Sequence, residues 1–375
     1  MLQDKLDAKL AKVEPGEIAV EGFDHIEFFV GNALQAAYYY HRGFGFDLIA
    51  YRGLETGSRD QVSYVLKQDH VCLVLTGALK PDSEASNHVQ RHGDGVKTIA
   101  LKTRDARKAY DTAIARGAIS VGSFQDHQDD DGTFRSGSVQ TYGDTTHTFI
   151  ERDGYKGAFA PGFRKLKKSS GKSVGLAAID HVVGNVEMAK MNDWIKFYER
   201  IFGFNIYQSF DPSDVSTKYS ALASTVMSNK SGNVKLPINE PAKGLRKSQI
   251  QEYLDYWLTP GVQHIAISTR DIIATVGELQ KRGIEFLTIP TSYYDALKDR
   301  VGKIDEDFSE LAKLGILVDR ESEGYLLQIF TKPVQDRPTL FFEVIQRKGA
   351  RGFGKGNFQA LFESYEIDQA ARGNL

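Results

Sequence analysis

An internal repeat constrains this chain more than any other feature of its sequence. Residues 23–46, FDHIEFFVGNALQAAYYYHRGFGF, match residues 179–204, IDHVVGNVEMAKMNDWIKFYERIFGF. Each copy is a short β-type run carrying Asp-His, then Gly-Asn, an amphipathic helical stretch with aromatics, and a closing Gly-Phe. Gly43 or Gly45 in one copy and Gly203 in the other suit the position just past a helix end. A second pair is GVKTIALKTRDARKAYDTAIARGAI (95–119) and GVQHIAISTRDIIATVGELQKRGIEF (261–286). Both read as a strand, a Thr-Arg-Asp helix start and a helix stopped by Arg-Gly. A third, weaker pair sets HTFIERDGYKG (147–157) against LFFEVIQRKGARG (340–352). Two related halves follow, each made of two units of strand, helix and further strands.

The expected division is a first domain over 1–160, a linker over 161–175 and a second domain over 176–375. The linker's lysines read as a solvated cluster rather than a nucleic-acid patch. The acidic tract 125–132 lacks the spacing and closing Glu of a calcium loop and reads as a hairpin turn. The second half carries additions: strand-like KYSALASTVM, the loop LPINEPAKGLRKSQIQEYL, an added helix over 291–316, and a final helix NFQALFESYE. In that helix Phe358, Leu361, Phe362 and Tyr365 form one stripe.

The 375 residues are 41% hydrophobic with a net charge of −2, so a sizeable core is expected and neither nucleic acid nor an acidic membrane surface is an expected partner. The single cysteine, Cys72, sits in an apolar run and fits a reducing compartment. No run approaches the ~20 apolar residues of a membrane span. The N-terminal MLQDKLDAKLAKVEPGE reads as neither signal nor transit peptide. A cytoplasmic protein is expected.

Candidate chemistry concentrates in the second half. TLFFEVIQ (339–346) has strand composition, and alternation puts Thr339, Phe341, Glu343 and Ile345 on one face. A carboxylate in an apolar strand face costs several kcal/mol unless a cation or strong donors oppose it. Only His181 and His264 of the nine histidines follow the linker. They occupy equivalent places in their repeats, each among apolar neighbours. Either alone would read as a core histidine; the matched pair plus Glu343 points to a metal site. Two imidazoles and one carboxylate hold a divalent metal on one face and leave adjacent positions open. Fe(II) there suits oxygen chemistry, and Zn(II) suits hydrolysis or isomerisation. The matching first-half positions read as His25, Thr98 and Glu151; threonine cannot replace imidazole, so that half is expected to hold no metal. Alternation also groups Gln328 with Phe330, and Ser220, Leu222, Ser224 and Val226 on one face. Asn239 and Gln249 lie where polar groups could converge.

The strings IDHVVGN, LPINEPA, KSQIQEYL, GVQHIAISTRDI and GYLLQIFTKPVQDRPTLFFEVIQRKGARGFGKGNFQALFESYE closely resemble the 4-hydroxyphenylpyruvate dioxygenase family. The resemblance implies an α+β vicinal oxygen chelate fold of four βαβββ modules, forming two open barrels plus a C-terminal helix. It implies one Fe(II) per chain on His181, His264 and Glu343. Ser224, Asn239 and Gln328 are then polar residues acting in catalysis and, with Gln249, binding substrate. Phe330 and Phe358 sandwich the ring, with Phe341, Phe353 and Asn357 nearby. Alternation turns Gln263 away from this face. The helix from Asn357 is a gate. The implied reaction takes 4-hydroxyphenylpyruvate and O₂ to homogentisate and CO₂ in tyrosine and phenylalanine catabolism, in a homodimer or homotetramer. The alternatives are a 4-hydroxymandelate synthase on the same substrate, a Zn or Ni isomerase of the glyoxalase kind, and a metal-free binding protein of the same fold.

Overall fold

The computed structural model describes residues 16–211 and 221–374; the N-terminal stretch 1–15 and Ser220, both read above, lie outside the described residues. The first module is β1 (Gly22–Phe29), α1 (Ala33–Arg42), β2 (Asp47–Arg52), β3 (Gln61–Gln68) and β4 (Val71–Ala78). After α2 (Glu84–His92) comes the second: β5 (Gly95–Lys102), α3 (Ala106–Ala115), β6 (Ser120–Asp129), β7 (Gly132–Gln140) and β8 (Thr146–Glu151). Strand β9 (Arg164–Ser169) leads to the third: β10 (Leu176–Asn185), α4 (Met191–Phe197), β11 (Asn205–Phe210), β12 (Ala221–Ser228) and β13 (Lys235–Ala242). After α5 (Gln249–Trp257) the fourth has β14 (Gly261–Thr269), α6 (Ile272–Lys281), α7 (Ser292–Asp295), α8 (Leu297–Val301) and α9 (Phe308–Leu314). It continues with β15 (Leu317–Glu321), β16 (Gly324–Phe330) and β17 (Phe341–Lys348), and α10 (Phe358–Ala371) ends the described chain.

The strands form two mixed sheets, ordered β6-β7-β8-β5-β1-β4-β3-β2-β9 and β11-β12-β13-β10-β14-β17-β16-β15. In each, the first strands of two modules pair antiparallel at the centre, and each first strand runs parallel to the last strand of its own module. This is the four-module α+β arrangement expected. Local chemistry accounts for the helix boundaries. Asn32, Asp105 and Asp271 accept the third backbone N–H of their helices, and the Thr-Arg-Asp starts thereby act as N-caps. Gly203 closes its helix at φ 69°, and a side chain there would strike the backbone of Glu17.

The two halves share one core. Phe342 of the second packs on Tyr40 and Phe44 of the first, with ring centroids 5.8 and 5.1 Å apart. Reciprocally, His147 of the first packs on Tyr198 and Phe202 of the second, its Nε2 2.8 Å from the Tyr198 hydroxyl. Rings at and just past the end of each half's first helix therefore reach across to the other half's sheet.

Two segments differ from their sequence reading. Residues 291–316 form three short helices rather than one, because Gly302 takes φ 65° and the hydroxyls of Tyr293 and Tyr294 are drawn to the carbonyls of Val318 and Ile316. Within the expected linker, β9 pairs antiparallel with β2; a lysine-rich strand is well suited to a sheet edge. The acidic tract (125–132) forms the end of β6 and the start of β7, and only Asp130 and Asp131 at its tip make the expected hairpin turn. Among the described residues no helix is long and apolar enough to cross a membrane.

Candidate metal centre

The second sheet curls around a cleft whose atom-free space, mouth included, is about 620 Å³. Strands from across the sheet reach it: His181 and Val183 on β10, Leu222, Ser224 and Val226 on β12, Asn239 on β13, His264 on β14, Gln328 and Phe330 on β16, and Phe341 and Glu343 on β17. At its base His181, His264 and Glu343 each offer a ligand atom within 4.8 Å of the others, all buried. One Glu343 oxygen, Oε2, lies 3.2 Å from His181 Nε2 and 3.5 Å from His264 Nε2.

Paired irregularities in the central strands set this geometry. Between Ile179↔Ile267 and His181↔Ala266, β10 carries one extra residue, Asp180; between Val183↔His264 and Gly184↔Val262, β14 carries one extra, Gln263. Each is a β-bulge, which breaks the alternation and brings a neighbour round beside the ligand. The Nδ1–H of His181 then donates to Asp180 Oδ2 at 2.7 Å, and that of His264 to Gln263 Oε1 at 3.0 Å. These acceptors fix the tautomers and leave both Nε2 lone pairs facing the Glu343 carboxylate.

The electrostatics fit a cation. Burial alone would raise the Glu343 carboxyl, but the His181 and His264 imidazoles outweigh it and hold it at about 2. Burial pushes His264 down; it opposes His181 too, but Glu343 and Asp180 drive that imidazole up. Asp180, though buried, sits well below the usual carboxylate range because Arg347 grips both its oxygens and His181 bonds to it. Two nitrogen lone pairs and a carboxylate converging in a buried pocket repel one another without a proton or a metal ion between them. The donor set therefore fits a divalent first-row metal.

The remaining sequence-predicted residues divide clearly. Ser224, Asn239, Gln249, Gln328, Phe330, Phe341, Phe353 and Phe358 all line the cleft. The side-chain oxygens of Gln249 and Gln328 have no hydrogen-bond partner there. Gly354, at φ 75°, lies so close to Gln328 that a Cβ would meet its amide oxygen at 2.2 Å. Asn357 is not among the lining residues: it is fully buried behind the turn, accepting from the Tyr293 hydroxyl at 2.7 Å. Gln263, set aside on alternation, does line the cleft because of its bulge. Phe210 and Pro237 also line it. Pro237 sits two residues before Asn239, so period two alone could have found it. Leu361, Phe362 and Tyr365 on α10 close the mouth, and Tyr365 packs 5.3 Å from Phe341.

In the first half, the parallel registers Ala100↔Thr148 and Ala266↔Glu343 make Thr148, not Glu151, the counterpart of Glu343. Glu151 instead matches Gln346. Both accept a backbone N–H at the start of a module helix, from Ala106 and Ile272 respectively. The first half thus presents His25, Thr98 and Thr148, and among the described residues the second-half triad is the only group of this kind.

Comparison with known proteins agrees with this architecture. Residues 15–160 match the N-terminal family described as hydroxyphenylpyruvate dioxygenase, and 178–329 match the glyoxalase/bleomycin resistance protein/dioxygenase superfamily. The chain is 48% identical to 4-hydroxyphenylpyruvate dioxygenase of Caenorhabditis elegans, over 94% of this chain and 93% of that one. It is 47% identical to the Dictyostelium discoideum protein of that name, over 95% and 100% of the two chains, and 49% identical to that of Danio rerio, over 94% and 92%. A solved triple mutant of 4-hydroxymandelate synthase from Streptomyces coelicolor superposes with a TM-score of 0.83 at 31% identity, covering 93% of this chain and 99% of that one. From sequence, fold and the buried donor set together, the chain belongs to the 4-hydroxyphenylpyruvate dioxygenase family.

Proposed function

We propose that the chain converts 4-hydroxyphenylpyruvate and O₂ to homogentisate and CO₂, using one Fe(II) held by His181, His264 and Glu343. One observation carries the reading: a buried two-histidine, one-carboxylate set in an apolar cleft whose lining also offers unpaired amide oxygens. Iron bound there supplies the redox chemistry that joins O₂ to the 2-oxo acid. The chain's own residues do the rest. The 2-oxo acid end belongs at the triad, the only strongly polar base of the cleft. Phe330, Phe341, Phe353 and Phe358 give the aromatic ring an apolar seat. Gln249 and Gln328 can accept the phenol hydroxyl, with Ser224 and Asn239 beside them, which fixes the ring relative to the metal end. Leu361, Phe362 and Tyr365 exclude water, and α10 acts as the gate through which substrate enters. Residues 1–160 serve as scaffold and 176–375 as the catalytic domain of a cytoplasmic homodimer or homotetramer in aromatic amino-acid catabolism.

The 43–49% identity to dioxygenases, against 31% to the hydroxymandelate synthase, supports homogentisate over 4-hydroxymandelate as product. The test is metal analysis with O₂ uptake on adding 4-hydroxyphenylpyruvate, followed by chromatography. Stoichiometric iron, O₂ consumption and homogentisate are expected. An iron-loaded protein that consumes no O₂ would sink the reading, and 4-hydroxymandelate would replace it with the synthase.

A further inference from the structure

We propose that Arg347 is a positioning residue for the metal centre, tying the glycine-rich turn at the cleft mouth to the orientation of His181; the proposal rests on the metal reading above. Arg347 donates from Nε and Nη2 to the two Asp180 oxygens at 2.7 and 2.8 Å. Asp180 Oδ2 accepts the His181 Nδ1–H at 2.7 Å. The third guanidinium nitrogen, Nη1, donates to the carbonyls of Gly352 at 2.6 Å and Ala350 at 3.4 Å. Phe353, the next residue, returns to the start with its ring 5.0 Å from the His181 ring at 70°. Arginine, carboxylate, imidazole, phenyl ring and turn thus close a circuit. His181 cannot rotate away from Glu343 without displacing Phe353 or giving up its bond to a carboxylate that a two-point arginine fork, the strong form of that contact, holds in place.

The first half contains the same circuit, with no metal-binding triad among its described residues. Register places Arg152 where Arg347 stands, four residues past Thr148 as Arg347 is past Glu343. Arg152 bonds Asp24 and the Phe159 carbonyl, Asp24 accepts from His25 at 2.6 Å, and Phe159 meets His25 at 5.1 Å and 75°. The device persists beside Thr98 and Thr148, which cannot make a metal site. Its shared task is therefore to fold the chain after the last strand back over the sheet. One difference separates the copies. Arg152 grips Asp24 from Nη2 and leaves its Nε without a partner, whereas Arg347 uses two nitrogens on two oxygens. The second grip fixes the carboxylate plane, and with it the direction of His181 Nε2.

The matched arginines supply the test. Full-length protein stripped of metal is titrated with Co(II) alone, following its visible absorption, beside thermal midpoints. Arg347→Gln, which loosens the carboxylate that holds His181, is expected to weaken Co(II) binding several-fold, toward the about 10–100-fold that follows loss of a metal-bound histidine's direct partner, and to shift the absorption band. Arg347→Lys, which restores charge but not the fork, is expected to recover thermal midpoint without recovering affinity. Arg152→Gln is expected to lower the midpoint and leave Co(II) affinity unchanged. Equal affinity in Arg347→Gln and Arg152→Gln would reduce Arg347 to a fold clamp and overturn the proposal. If Arg347→Gln does not fold, a wild-type affinity and spectrum in Arg347→Lys overturns it instead. A wild-type protein that binds no Co(II) would remove the metal reading itself.

Discussion

The two halves of this molecule share the irregularities of their central strands, yet among the described residues only one presents a metal-binding set. Asp24 and Lys97 are extra residues in the first sheet at the places where Asp180 and Gln263 are extra in the second. Both histidines that follow an aspartate bulge, His25 and His181, bond to it. At the donor positions the divergence is two side chains, Thr98 for His264 and Thr148 for Glu343. In the first half Thr98 and Thr146 simply bond each other at 3.0 Å. Bulges and the aspartate–arginine pair therefore belong to the fold, and chemistry needs only two further donors and an open cleft.

Glu343→Gln would break the comparison most directly. It should cost the second half its metal equivalent and abolish turnover, making the halves chemically alike; normal iron content and activity would refute the ligand assignment. Removing the residues after Leu361 strips Phe362 and Tyr365 from the mouth. O₂ consumption should then exceed homogentisate formed, and unchanged coupling would leave α10 a packing element. Phe342→Ala, in the core that the halves share, should lower stability by about 3–5 kcal/mol in denaturant titration. A much smaller loss would mean that the halves are held together elsewhere.

A subtler probe lies where α2 of the first half meets α5 of the second. His88 is buried between Phe29 and Trp257 with neither ring nitrogen bonded. Burial, reinforced by neighbouring His92, pushes its imidazole down to about 3. Below the ordinary value of 6.5 the unfolded chain takes up a proton that folded His88 refuses, so stability should fall as pH drops from 6.5 toward 3. His88→Leu should flatten that part of the stability–pH curve, and an unchanged slope would show that other groups set it. Last and smallest, His25→Ala should leave metal content untouched. Loss of a metal equivalent would mean that the first half binds one after all.

Much of this was legible in the sequence. The repeats, helix starts and stops, and the two histidines and Glu343 all announce themselves through spacing and alternation, which are local properties of the chain. Legibility ended where a side chain's direction depended on a second strand. Gln263 faces the cleft because β10 and β14 are mismatched in length opposite it. Glu151 failed as the counterpart of Glu343 because similarity of short strings cannot fix a parallel register; Ala100↔Thr148 does. Asn357 left the cleft because Tyr293, sixty-four residues earlier, captured its amide.

The amino-acid sequence by itself determined the modular plan and the identities of the three candidate metal donors, since both rest on periodicities a single chain carries. Only the tertiary structure decided where the bulges fall, which residues the strands align, and how the arginines anchor the chain that follows each half's last strand. Those are set by pairing between distant segments, and the energy of a pair is defined only once both partners are in place.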